Sequence, residues 1–174
     1  SPQYDNHKLI GFEVERPAPK TVQKSVFPID QYEKKKYHLV PLIESVQDRL
    51  VVEIARGCLN SCRFCQAGYI HRPLREKKAS AIVEESLQYL KETGYCQMSF
   101  LSLSASDHPN LETLIDALKP ALEEKCVSLS LPSLRIDNFP EEIARKIAGI
   151  RKIPFTFAPE AGTERLRKII NKRI

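Results

Sequence analysis

Three thiols in eight residues, Cys58, Cys62 and Cys65, are the most chemically pointed feature of this 174-residue sequence. They are spaced x3 then x2, in a loop that opens at Gly57 directly after the apolar run of residues 50–55. Thiolates are the usual ligands of iron–sulfur clusters, and four of them close a [4Fe–4S] cube. The local group stops at three. Three ligands leave one iron open, and an open metal position is where a small molecule can be activated. A structural zinc is the competing reading, but zinc takes four ligands, commonly in paired C-x2-C spacings. His71 offers a fourth ligand only at an unusual spacing. Three unrelated thiols is the bland alternative.

The elements around this loop alternate strand and helix. Residues 50–55 read as a buried strand, and Ser80 is a plausible N-cap for a helix that carries Ile82, Val83, Leu87 and Leu90 on one side and stops near Gly94. Residues 97–103 are a second strand. Pro109 can open a second helix, with Leu111, Leu114, Ile115, Leu118 and Leu122 at helical spacing. Residues 127–131 are a third strand, Pro140-Glu141-Glu142 opens a third helix lined by Ile143, Ile147 and Ile150, and residues 154–158 are a fourth strand. Gly162-Thr163-Glu164 leads into a last helix with Leu166, Ile169 and Ile170. Strand–helix units at this spacing predict an α/β fold with parallel strands, about four βα units, curved like half of a (βα)8 TIM-like barrel. In such barrels the chemistry sits at the C-terminal strand ends. Those ends are the three cysteines, then residues 102–108, 131–137 and 157–163, all polar and all expected on one face.

Composition narrows the class. The chain is long enough for one domain with a real core, and no tract is long enough to span a membrane. The polar start carries no signal-peptide pattern, and Ser1 in place of Met is expected of a processed chain or an excised fragment. Five cysteines, three of them clustered, argue against a disulfide framework and for a reducing cytoplasm. The net charge of +5 is compatible with nucleic acid without demanding it. Residues 1–49, punctuated by Pro2, Pro17, Pro19, Pro28 and Pro41, read as a lead-in segment that wraps the core of residues 50–174. Within it residues 9–14 form a short strand, and Lys34-Lys35-Lys36 is expected to be a solvated face. Cys96 and Cys126, at strand starts, are expected to be small buried side chains.

The spacing of the three cysteines after a first strand, with Phe64 just before the third, resembles the signature of the radical S-adenosylmethionine enzymes. The resemblance implies that the open iron chelates the amino and carboxylate groups of S-adenosylmethionine. One electron from the [4Fe–4S] cluster then cleaves it to methionine and a 5′-deoxyadenosyl radical. A flavodoxin or ferredoxin would serve as electron donor. The cofactor's amino group then needs acceptors, which Ser104, Ser106 and Asp107 offer. Its carboxylate suits the planar fork of Arg135, its ribose hydroxyls suit Glu160, and Phe64 can pack on the adenine. The family often has a Gly-Gly-Glu-type motif where this chain has Ser104-Ala105-Ser106-Asp107. Bland readings stand beside these: Asp107 can cap the second helix, Thr163 the last one, Arg135 and Asp137 can form a surface ion pair, and Glu160 can be a solvated loop acid.

Longer stretches narrow the resemblance. Residues 53–76, 130–135 and 157–172 are similar to a group of uncharacterised radical S-adenosylmethionine proteins in which a cobalamin-binding domain precedes the barrel. On that resemblance the chain is expected to be a catalytic-domain fragment truncated at its C-terminus, with four units where the family usually has six. Cobalamin in the full-length protein would make methyl transfer to an unactivated carbon a reasonable use. Methylthio transfer to RNA or a ribosomal protein is a second enzymatic reading, and a non-catalytic module with zinc at the same cysteines is a third. An uncovered sheet edge invites pairing with a second copy, so a homodimer is expected in isolation.

Overall fold

The computed structural model describes residues 1–13, 19, 21–31, 38–43, 45–151 and 153–174. The core is a three-stranded parallel sheet in the order β3-β6-β7, formed by Leu50–Glu53, Gln97–Leu101 and Ser128–Ser130. The register pairs Leu50 with Met98 and Leu129, and Val52 with Phe100. Paired residues of a parallel ladder share a face, and all five of these side chains are 0% exposed. Three helices cover that face: α2 (Ala79–Thr93), α3 (Leu111–Glu124) and α4 (Glu141–Ile150). They contribute Ile82 and Leu90, then Leu114, Ile115 and Leu118, then Ile143 and Ile147 to one continuous cluster. Each such side chain taken from water is worth about 1.5–3 kcal/mol, which is why this face sets the register. Among the described residues no helix is long and apolar enough to cross a membrane.

Several expectations meet the structure directly. All five predicted apolar positions of α3 are buried. Gly94 stops α2 at φ 68°, the left-handed conformation that glycine adopts without strain. Thr163 caps α5 (Glu164–Ile169), its Oγ accepting the Leu166 N–H at 3.3 Å. The predicted strand at 9–14 is observed as β2 (Lys8–Phe12), paired antiparallel with β1 (Pro2–Asp5) through Asn6 and His7, both at positive φ. Val14 and the lysines at 34–36 lie outside the described residues.

Other expectations are corrected. Ser80 is not the N-cap of α2. The helix starts at Ala79, and the Lys78 N–H donates to Asp30 Oδ1 at 3.1 Å, so a lead-in carboxylate does the capping. Leu87 is 39% exposed, while Ser86 and Tyr89 take the buried places; Ser86 Oγ donates to the Ile82 carbonyl at 2.7 Å, and the Tyr89 ring packs on His38. Cys96 and Cys126 are exposed, not buried. They precede β6 and β7 rather than lying within them, and Cys126 sits in a turn at φ 54°. The fourth predicted strand makes a single parallel bridge, Leu134 to Phe157. Pro154 and Pro159 remove N–H donors from that segment, and Phe155 and Phe157 instead pack on the Phe139 ring at 5.3 and 5.8 Å.

Candidate functional site

The cysteine loop is the exit of β3. Ile54 donates its N–H to the Leu101 carbonyl at 3.0 Å, and β4 (Ala55–Arg56) then turns away to pair antiparallel with β5 (Arg75–Glu76). Gly57 follows at φ 97°. The chain crosses its own return segment there so closely that a Cβ would stand 2.7 Å from the carbonyl oxygens of both His71 and Pro73. Only glycine fits that conformation and that space.

Beyond the crossing, the loop presents its sulfurs with donors aimed at them. Asn60 points its backbone N–H and its Nδ2 at Cys58 Sγ, at 3.4 and 3.3 Å, and the Gly68 N–H points at Cys65 Sγ at 3.4 Å. Burial pushes the Cys62 thiol pKa up; the Lys172 and Arg135 charges draw it down, and the neighbouring Cys58 and Cys65 raise it further. All five cysteines are free. Among the described residues no three His, Cys, Asp or Glu side chains converge on a single ion position. Three free thiols on one loop are the donor type that iron–sulfur clusters take.

A segment more than a hundred residues away holds the loop in shape. The Arg63 N–H donates to the Ile170 carbonyl at 2.9 Å and Arg63 Nη1 to the Ile169 carbonyl at 2.6 Å. Asn171 Nδ2 donates back to the Asn60 and Ser61 carbonyls at 3.3 and 3.0 Å. The lead-in braces the other side: the Lys24 ammonium donates to the Ile70 and Arg72 carbonyls, and Arg75 Nη1 to the Phe27 carbonyl.

The three cysteines open on a cavity of about 520 Å3 on the face of the sheet away from the helices. Of the residues singled out from the sequence, Phe64, Ser104, Arg135 and Glu160 line it. Asp107 lies instead on a second cavity of about 230 Å3, separated from the first by Cys58, Asn60 and Ser104. Ser106 is buried and lines neither; its Oγ accepts the Arg135 N–H at 3.1 Å. Asp107 does not cap α3. Its oxygens take the side-chain amides of Asn60 at 2.6 Å and Asn138 at 3.0 Å, tying the cysteine loop to the loop after β7. Burial pushes its pKa up, but the Ser104 hydroxyl, the Asn138 and Asn60 amides and the Arg135 charge outweigh burial and hold the carboxyl below its usual range. The Ser104 hydroxyl stands near Asp107, yet its Oγ meets no partner at hydrogen-bond geometry. The Arg135 fork is engaged by Asp137 and by the Arg173 carbonyl, so the ion pair weighed from the sequence is formed. Glu160 sits at φ 65°, 3.7 Å from the Lys172 ammonium.

Sequence reasoning missed Asn60, Asn138, Asn171, Lys172 and Arg49, and polar residues in loops give no local signal of what they will meet. It also missed His108. That ring is 5% exposed; its Nδ1 accepts the Asn110 N–H at 3.2 Å, which assigns the proton to Nε2, a buried atom without a partner. Burial lowers the His108 pKa from its ordinary 6.5, and the pull of Glu76 and the Lys77 backbone in the other direction does not offset it. The unfolded chain therefore binds the proton more readily than the folded one. Unfolding free energy is expected to fall as pH drops below 6.5, and His108→Gln to flatten that slope. Urea unfolding at pH 7.5 and pH 5.5 reads it; an unchanged slope in the variant would assign the effect elsewhere.

The sequence matches the family model described as the radical SAM superfamily over residues 52–174. It is 32% identical over 124 residues to the uncharacterised protein MJ0966 of Methanocaldococcus jannaschii, an alignment covering 71% of this chain and 26% of that protein. A CDK5RAP1-like protein of Caenorhabditis elegans is 24% identical over 83 residues, 48% of this chain and 15% of the other. The chain thus spans about a quarter or less of the length of these curated relatives.

Proposed function

Because the chain belongs to the radical SAM superfamily, we propose that Cys58, Cys62 and Cys65 hold a [4Fe–4S] cluster and that S-adenosylmethionine binds in the cavity they face. When bound, the cluster supplies one electron for reductive cleavage of that cofactor, the opening step of radical chemistry on a substrate. The observation that carries the reading is the placement of all three free thiols on one 520 Å3 cavity. That cavity opens beyond the C-terminal end of a parallel strand, the end at which barrel folds keep their chemistry.

The chain's own residues have definite parts in this reading. Asn60 and the Gly68 N–H donate to the sulfurs of Cys58 and Cys65 and orient them, and Asn171 keeps the loop from opening. Phe64, half exposed on the cavity wall, offers a ring face for the adenine. Glu160 is placed to accept from ribose hydroxyls. Lys172 and Arg135 supply positive charge for the cofactor carboxylate. Ser104, whose buried hydroxyl stands beside Asp107 on the cavity wall, is the acceptor for the amino group.

Anaerobic reconstitution with iron and sulfide, chemical reduction and addition of S-adenosylmethionine tests the proposal. Formation of 5′-deoxyadenosine, with a reduced-state paramagnetic signal that changes on adding the cofactor, is the expected result. Stoichiometric zinc with no bound iron, and no spectral response to the cofactor, would sink it and leave a structural metal module.

A further inference from the structure

The inward positions of a complete (βα)8 barrel are filled mostly by bulky branched side chains. The corresponding face of this sheet carries Gln97, Ser99, Ser128 and Ser130 beside Val51 and Leu101. The ladder aligns Val51, Ser99 and Ser130 in one row and Gln97 with Ser128 in the row beneath. Arg49 stands one residue before the ladder, level with Gln97. Leu50 and Val52 are 0% exposed against the helices, so strand alternation turns Arg49 and Val51 the other way, and Arg49 lines the 520 Å3 cavity. At about 3.3 Å per residue, Arg49 lies roughly 13 Å below the strand end that leads to the cysteines. It is the cation of the cavity floor.

Among the described residues no carboxylate forms an ion pair with Arg49, and the acid on its own strand, Glu53, is held by Arg56. The other two cations on the cavity wall are paired, Arg135 with Asp137 and Lys172 with Glu160. The guanidinium is half-buried at the cavity, and its planar fork matches a carboxylate or a phosphate with two parallel hydrogen bonds. A cavity of about 520 Å3 is the size that encloses one small molecule.

We propose that Arg49 anchors the acidic group, carboxylate or phosphate, of the small-molecule substrate. The word substrate rests on the cofactor reading above, whereas the anion site does not. The substrate's acidic end lies on the floor beside Arg49, and its remainder extends toward the cysteine end of the cavity.

The test is a titration of the whole chain, kept reduced and without added iron, with inorganic phosphate followed by 31P line width and with 13C-acetate followed by 13C line width. Saturable binding of at least one anion is expected, weakened at least tenfold in Arg49→Gln and partly restored in Arg49→Lys. Arg145→Gln, which removes an exposed cation of α4, is expected to bind as the wild type does. Tighter phosphate binding would point to a phosphorylated substrate, tighter acetate binding to a carboxylic acid. Equal binding by wild type and Arg49→Gln, or no saturable binding of either anion, would overturn the site. Cofactor cleavage by reconstituted wild-type protein is read separately. Its failure alongside Arg49-dependent anion binding would remove the cofactor reading and keep the anion site, so the two failures are distinguishable.

Discussion

Cys62→Ser is expected to take the reconstituted protein from about four irons per chain to fewer than about one. The hydroxyl that replaces the thiol does not ionise near neutral pH, and the thiolate is the form that ligates. Cys58 and Cys65 then remain as two ligands. No third thiol is at hand, because Cys96 and Cys126 are exposed at the starts of the second and third strands, the ends remote from the loop. The fold has little stake in that sulfur. Cys62 is partly exposed, and its turn is closed by a backbone bond, the Cys65 N–H to the Cys62 carbonyl at 3.1 Å. Apo stability is therefore expected to move by no more than about 0.5 kcal/mol. Cys126→Ser serves as the control, with iron content unchanged. Iron and sulfide analysis of the two variants side by side decides the matter; full iron loading of Cys62→Ser would remove Cys62 from the ligand set.

Gly57→Ala is expected to damage both fold and site. A Cβ there meets two backbone carbonyls at 2.7 Å and the Leu74 Cα at 3.0 Å, none of which can swing aside as a side-chain tip would. The φ of 97° adds strain for any L residue. Strained backbone and overpacking each cost about 1–3 kcal/mol, so a loss of roughly 2–6 kcal/mol is expected. For a chain of this size that lowers the thermal midpoint by roughly 4–24 °C. Relief requires the 71–74 segment and the cysteine loop to part, which moves Cys58, the next residue. Reconstituted iron is therefore expected to fall by more than about half. Gly149→Ala is the matched control. It lies inside α4, where an added Cβ meets nothing within 4 Å, and a helical Gly→Ala change is worth up to about 1 kcal/mol in the favourable direction. Calorimetry and iron analysis of both variants check this. A Gly57→Ala protein with wild-type midpoint and iron would show that the crossing has room to open.

How much of this was legible in the sequence depended on the range of the cause. The leucine period of α3, the glycine stop at Gly94 and the Thr163 cap are written within a few residues of where they act, and each is realised. The alternation of strand and helix is legible in the same way, and the parallel pairing of the three strands follows from the helical crossovers. The site residues are different. Asp107, chosen as an acceptor for a cofactor, is shared between amides 47 and 31 residues away, and Arg135 closes on Asp137 and on the C-terminal segment. The fourth strand read from an apolar run is displaced by aromatic packing on Phe139, a partner no local pattern names.

By itself, then, the sequence determined the grouping of Cys58, Cys62 and Cys65 on one loop after a strand and the order of the elements, because both are carried by spacing along one stretch of chain. The tertiary structure alone decided which polar groups share the cavity with those thiols. It brought Asn171 onto the cysteine loop from 110 residues away and turned Arg49, which has no ion-pair partner among the described residues, toward the cavity. The physical reason is that hydrogen bonds and ion pairs between loops depend on where packing of the apolar face leaves the strand ends, and that packing is a property of the whole sheet.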